Sequence, residues 1–212
     1  LLRRGRRPTL FFNQQQDYWH KPPADPDGYW ASSWNIQTIA AATDIHNLIG
    51  GTDDLVFLGE EETVADALGI TAVNPPSLLA PVHFERAYKT EYEAGCIQLA
   101  NIAAARGHRA AEAAFHAGLA EFDIQHAYLG AVRGRETDAP YSGIVALNEN
   151  CAVLHYQHYQ SVPPQRIHSM LIDAGASVHG YAADVTRSHA FEGGLFADLI
   201  ERLDREQQGI IQ

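Results

Sequence analysis

Apolar and polar positions along the chain fall into three zones of different period. In residues 1–80 the apolar runs are short and punctuated by Gly and Pro. Residues 9–12 and 56–59 read as strands, the second ending in Gly59. Residues 61–68 have helical spacing and stop at Gly69, and residues 71–73 are again strand-like. Strand, helix and strand in this order predict part of a layered α/β domain. Residues 17–29 read as a loop rich in Pro and aromatic side chains, and the Gln14-Gln15-Gln16 tract is too short to count as low complexity. Asn74-Pro75-Pro76 breaks the pattern and opens a boundary, so the chain divides into residues 1–80 and 81–212.

The second zone is helical. Thr90 can cap a helix, with Glu93 three residues on in capping-box position. Tyr92, Cys96, Leu99, Ile102 and Ala103 then recur at helical spacing, and the pattern extends towards Gly118, with Gly107 as a weak point. A second helix fits Glu121–Val132 and ends at Gly134. The third zone is β-rich. Residues 143–147, 152–155, 168–174 and 180–191 read as strands, followed by an amphipathic helix over Leu195–Ile211.

Charge narrows the function. Fifteen basic and 26 acidic residues leave a net charge of −11, which argues against a general nucleic-acid binder. The basic start, Leu1-Leu2-Arg3-Arg4-Gly5-Arg6-Arg7, runs directly into Pro8 and an apolar strand, and it lacks the apolar core of a signal peptide. It also lacks an initiator Met, which suits the interior of a longer gene product. No apolar run reaches the ~18 residues a membrane span needs. Cys96 and Cys151 belong to no close pair, so two free thiols in a reducing cytoplasm are expected rather than a metal site.

The chemistry concentrates in residues 170–187. Asp is disfavoured in strands, yet Asp173 follows two bulky apolar residues and Asp184 sits between Ala183 and Val185. A hairpin turning between Val178 and His179 would set Asp173 directly opposite Asp184, with Cβ atoms about 4.5–5.5 Å apart. Two carboxylates that close repel each other, and a divalent cation removes the conflict. Oxygen ligands of this kind suit Mn²⁺ or Mg²⁺, with Zn²⁺ and Co²⁺ as alternatives. On spacing alone, a reading of both residues as turn or surface aspartates weighs equally, because Asp near Gly is common in turns.

The surroundings separate the two readings. Asp138-Ala139-Pro140-Tyr141, the run from Ile144 to Asn150, Ala152-Val153-Leu154-His155-Tyr156, Leu171-Ile172-Asp173-Ala174-Gly175-Ala176 and the run from Gly180 to Arg187 resemble bacterial prolidases, in the order and close to the spacing of that family. The run from Arg86 to Glu93 and Asp17-Tyr18-Trp19-His20 are similar as well. The resemblance implies an α/β N-terminal domain remnant followed by the first half of an α+β pita-bread catalytic domain. It implies two divalent metal ions, commonly Mn²⁺, held by two Asp, one His and two Glu. Asp173 and Asp184 match the two Asp. The remaining ligands have no counterpart here, since His189, Glu192, Glu201 and Glu206 do not fit the motifs. The family pattern therefore extends before Leu1 and after Gln212.

His155 matches the family histidine beside the metals, which steadies the carbonyl oxygen under attack. His155 and His158 could be read alone as a His-x2-His metal motif, but on a strand positions three apart point to opposite faces. Tyr141 and Leu154 match residues lining the substrate pocket, and core packing is the alternative, weighed equally for Leu154. The implied activity is hydrolysis of Xaa-Pro dipeptides, with organophosphorus triesters as a side reaction. A cytoplasmic homodimer is the implied form of the full-length product, with neither nucleic acid nor membrane as partner. Two other readings stay open. One keeps the fold and acts on longer peptides, as aminopeptidase P does. The other takes the chain as a non-enzymatic protein, which two metal ligands alone would suit.

Overall fold

Two short parallel ladders carry the first part of the chain. Strand β1 (Thr9–Asn13) pairs with β2 (Asn35–Ile39), and after helix α1 (Ile45–Ile49) strand β3 (Val56–Phe57) pairs with β4 (Ala72–Val73) across helix α2 (Glu62–Leu68). The structure is a computed structural model that describes residues 1–14, 17–21 and 24–211. Two residues of the Gln tract, and Pro22 and Pro23 of the expected loop, lie outside the described residues. Gly69 closes α2 with φ 70°, the left-handed cap its position predicts.

Helix α3 (Pro76–Ala87) starts where the sequence reads as a break. Pro75 is extended and Pro76 takes the first helical position, where its fixed φ suits a helix and its missing N–H costs nothing. Asn74 turns the chain into this helix at φ 46°, with its side chain bonded to both backbone groups of Gly59. The helix runs through positions 80 and 81, and the chain separates into two compact units, Leu1–Tyr88 and Lys89–Gln212.

The second unit opens on α4 (Glu91–His116). Thr90 Oγ1 accepts from the Glu93 N–H at 3.3 Å, and Glu93 Oε2 accepts from the Thr90 N–H at 2.7 Å, the reciprocal cap expected from the sequence. The helix is continuous through Gly107. A Cβ there would lie 2.5 Å from the Tyr128 ring, so this glycine lets α4 lie close against α5 (Glu121–Val132). Helix α5 ends at Val132 as its pattern predicts, but Arg133, at φ 58°, takes the left-handed cap in place of Gly134.

Behind these helices stands an antiparallel sheet of β5 (Ile144–Leu147), β6 (Ser169–Asp173) and β9 (Thr186–Ala190), in the order β5–β6–β9. Phe115, Ile124, Tyr128, Val145, Met170 and Ile172 form the core between the helices and the sheet. The small hairpin of β7 (Ser177–Val178) and β8 (Tyr181–Ala182) joins β6 to β9. Ala100 and Ala104 of α4 pack against Ala176 and Ala183 beside it, where only small side chains let helix and hairpin meet. Helix α6 (Leu195–Ile211) follows β9 with the expected bounds. Among the described residues no helix is long and apolar enough to cross a membrane.

The expected strand over 152–155 is absent. A 3₁₀ turn, Asn148–Ala152, follows β5, and a loop runs on from it. Asn148 adopts φ 52°, and its side chain accepts from the His168 N–H and donates to the Arg166 carbonyl. That local bonding turns the chain out of the sheet before an extended segment can form. The expected strand over 180–191 divides into β8 and β9 around residues 183–185.

Candidate metal centre

The hairpin register decides where the aspartates stand. His179 and Gly180 have φ of 51° and 84°, the pair of positive φ values that a two-residue type I′ turn requires. Val178 then pairs with Tyr181 and Ser177 with Ala182. The same register continues through the Ala174 N–H to Val185 carbonyl bond and sets Asp173 opposite Thr186. Asp184 is thus two residues from the position facing Asp173, and the direct pairing expected from a turn at Val178-His179 is corrected. The physical reason is the glycine: Gly180 accepts a left-handed φ at no steric cost, whereas β-branched Val178 does not. A slip of two keeps both carboxyl groups on one face of the ribbon, as diagonal neighbours whose separation is about 7–8 Å or somewhat less at Cβ.

Tyr141 joins the pair. The loop before it is set by Arg135 and Asp138, whose side chains form a two-point ion pair that lowers the Asp138 pKa to about 2. The Tyr141 hydroxyl donates to Asp184 Oδ1 at 2.9 Å. Burial, and then the Asp173 and Asp184 carboxyl groups, raise the pKa of this phenol above its ordinary value, so it stays a proton donor. Gly175 makes the approach possible. A Cβ there would lie 2.1 Å from the Ala183 carbonyl oxygen and 2.9 Å from the Tyr141 ring.

Asp173 Oδ1 is buried and has no hydrogen-bond partner among the described residues. An unpaired buried acceptor costs about 1–3 kcal/mol, and a charged one more. A hard cation would remove that cost, and oxygen donors on one face fit one. Among the described residues no group of three or more His, Cys, Asp or Glu side chains converges to hold an ion. The two aspartates therefore fit part of a metal's ligand set, as oxygen donors on one face.

Behind β6, His108 of α4 lies buried with Nε2 3.0 Å from the Ala174 carbonyl. Burial lowers its pKa, and because a carbonyl only accepts, the neutral ring carries its proton on Nε2. The strand leaving Asp173 is thus held from the helix side. Sequence patterning did not single out His108. Its place at a buried helical position among Ala104 and Ala111 was the available signal.

The other two expected site residues stand elsewhere. Leu154 is 85 % exposed, which rules out core packing as its role in this structure. His155 is exposed beside it, in the loop after the 3₁₀ turn, and its side chain makes no hydrogen bond among the described residues. Because this stretch is no strand, strand alternation does not set which way His155 and His158 point. The His158 ring instead stands edge-on to the Tyr156 ring, with centroids 5.8 Å apart. The hydrogen bonds around Asp173, Asp184 and Tyr141 include neither His155 nor Leu154.

The pattern described as metallopeptidase family M24 matches residues 95–211, and the chain belongs to that family. The pattern described as the N-terminal domain of Xaa-Pro dipeptidase matches residues 1–84. Among curated proteins the chain is 43 % identical to the Xaa-Pro dipeptidase of Shewanella loihica, covering all of this chain and 49 % of that protein. It is 45 % identical to the Xaa-Pro dipeptidase of Pseudoalteromonas haloplanktis, covering 95 % of this chain and 46 % of that one. The chain thus spans about half the length of the curated relatives it matches. Among solved structures, aminopeptidase P from E. coli in its low-pH form superposes with a TM-score of 0.66 at 19 % identity, over 87 % of this chain and 47 % of that one. X-Pro aminopeptidase from Thermotoga maritima gives 0.63 at 18 %, over 86 % of this chain and 56 % of that one. The fold is that of part of these enzymes, an N-terminal α/β segment followed by part of the pita-bread catalytic domain.

Proposed function

We propose that the full-length protein is a metal-dependent dipeptidase that cleaves Xaa-Pro dipeptides and releases the C-terminal proline. The observation that carries the reading is the same-face pair Asp173 and Asp184, with an unpartnered buried oxygen on one and Tyr141 bonded to the other. Membership of a metallopeptidase family and the names of the half-matched relatives support it. Asp173 and Asp184 would hold two divalent ions, Mn²⁺ by preference, with the remaining ligands supplied from outside this chain. When bound, such ions lower the pKa of a water and polarise the carbonyl it attacks.

The chain's own residues do the rest. Tyr141 keeps its proton and steadies Asp184 beside the substrate. His155 donates to the carbonyl oxygen as charge develops there. Leu154, apolar and exposed, offers a wall for the substrate side chain. An Xaa-Pro bond has no N–H and a fixed φ, so it needs a site shaped for the ring rather than one that bonds the amide. Cytoplasmic residence as a homodimer completes the proposal, and the free thiols Cys96 and Cys151 accord with a reducing compartment.

The test is proline release from Ala-Pro and Leu-Pro by the purified full-length protein with added Mn²⁺. Turnover is expected, and its absence would remove the substrate assignment. Aminopeptidase P and X-Pro aminopeptidase among the structural neighbours favour a second reading, with longer peptides as substrates. A tripeptide cleaved faster than the dipeptide would select it. Slow hydrolysis of an organophosphorus triester is expected at the same site. The 212-residue chain alone, with two of the ligands, is expected to turn over neither substrate.

A further inference from the structure

Glu121 is 1 % exposed, yet no cation pairs with it among the described residues. Its carboxyl group instead collects four donors. The Leu147 N–H and Asn150 Nδ2 reach Oε1, each at 2.8 Å, while the Tyr156 hydroxyl at 2.8 Å and the Gln160 N–H at 2.9 Å reach Oε2. Asn150 Nδ2 also lies 3.0 Å from the Tyr156 oxygen, so that hydroxyl accepts from Asn150 and sends its proton to Glu121. The Phe122 N–H bonds the Gln160 carbonyl at 3.1 Å, which doubles the clasp. Glu121 sits in the first turn of α5, where the helix dipole also favours an acceptor.

These bonds bracket one stretch of chain. Asn150 and Tyr156 lie on either side of His155; Cys151 Sγ between them reaches the Ala146 carbonyl at 3.3 Å, and two turn bonds, Val153 N–H to Asn150 and Tyr156 N–H to Val153, shape the backbone that carries His155. Among the described residues His155 has no side-chain hydrogen bond of its own to aim it. We propose that Glu121 is the positioning residue for His155: from α5 it pins both flanks of the loop and so sets where the imidazole stands. The inference rests on the role proposed above for His155. Removing the carboxylate leaves buried donors unpaired on both flanks, and the loop relaxes to rehydrate them.

The experiment uses the full-length protein with Mn²⁺ and Ala-Pro, in the variants Glu121→Gln and Tyr156→Phe, each with and without His155→Ala. Glu121→Gln is expected to lower kcat on the order of 100-fold, with KM and bound Mn²⁺ nearly unchanged. Tyr156→Phe removes one bond of the four and is the variant to rely on if Glu121→Gln does not fold; a loss of about tenfold is expected. Neither should lower the activity of the His155→Ala protein further, because both act through that ring. Equal losses with and without His155 would overturn the proposal, as would an unchanged kcat in folded variants. Amide hydrogen exchange gives a readout independent of turnover: the N–H groups of Tyr156 and Gln160 should exchange at least about tenfold faster in Glu121→Gln. Unchanged exchange refutes the bracket whatever the substrate. A fully active His155→Ala protein refutes the catalytic role of that ring and the positioning role with it. A parent that releases no proline refutes the dipeptidase reading, while exchange still decides the bracket.

Discussion

Asp173 stands on a strand paired on both edges, to β5 and to β9, and the residue after it is held from α4 by His108. His155 stands on a loop with no ladder partner, and the carboxylate of Glu121 supplies the bonds on either side of it. A ladder places side chains by periodicity. It moved the aspartates from directly opposite to diagonal and still left them on one face. A loop placed by hydrogen bonds has no such tolerance, because its geometry follows a few side chains distant in sequence. The proposed metal ligands and the proposed carbonyl-steadying group therefore differ in how each can be disturbed.

The largest effect is expected where the ladder-held side is stripped of charge. In the full-length protein Asp184→Asn should abolish stoichiometric Mn²⁺ uptake, read by elemental analysis after desalting. Its loss of turnover should exceed the roughly 10–100-fold typical of residues that only support a ligand. An Asp184→Asn protein that keeps its full metal would show that the ribbon does not hold an ion.

Gly175→Ala attacks the ladder itself. The added methyl meets the backbone of Ala183, which has no flexible end to move aside. A loss of about 1–3 kcal/mol is expected from denaturant unfolding, towards the upper end of that range. A wild-type midpoint would mean that the ribbon flexes there, and the contrast with the loop would weaken.

Acid should weaken the same region by a third route. Burial lowers the His108 pKa below its ordinary 6.5 and lowers that of His189 as well. Between the folded and unfolded values the unfolded chain binds more protons, so stability rises with pH in that window. The contribution is whole above the unfolded value of 6.5 and is lost as pH falls through the folded values. His108→Gln keeps a donor for the Ala174 carbonyl and cannot titrate. Its unfolding midpoint should fall less than the parent's between about pH 7.5 and 5.5. His189 still titrates in the variant, so part of the slope should remain.

The smallest change concerns the start of α4. Glu93 closes the cap on Thr90 and also accepts from the Tyr181 hydroxyl at 2.9 Å, which ties the hairpin to the helix. Thr90→Ala should cost about 1 kcal/mol in unfolding experiments and leave metal binding intact. A loss of metal as well would show that the hairpin depends on the helix cap as much as on its own turn.

Local chemistry was the legible part. The Thr90–Glu93 box and the bounds of Glu121–Val132 and Leu195–Ile211 follow from spacing and from end signals in neighbouring residues, and the strands expected over 143–147 and 168–174 form as Ile144–Leu147 and Ser169–Asp173, the first trimmed by a residue at one end and the second at both. Other features depended on one residue acting against its usual reading. Pro75-Pro76 begins a helix instead of ending an element, Arg133 takes a cap that Gly134 was expected to take, and Asn148 bends the chain out of a strand. Glu121 enters the sequence pattern only as the start of a helix, and only the packed structure shows it buried among four donors.

By itself the sequence offered Asp173 and Asp184 as a same-face pair, because side chains alternate along a ribbon and a register shift of two preserves the side, but on spacing alone it weighed turn or surface aspartates equally. It also carried the family through motifs of neighbouring residues, since such motifs are local in the chain. Only the tertiary structure decided the hairpin register, through the positive φ of His179 and Gly180, and the bracket on His155, through bonds between Glu121 and residues as far along the chain as Gln160. Those outcomes rest on competition between backbone conformations and on burial of a distant group, neither of which is written in the period of the pattern.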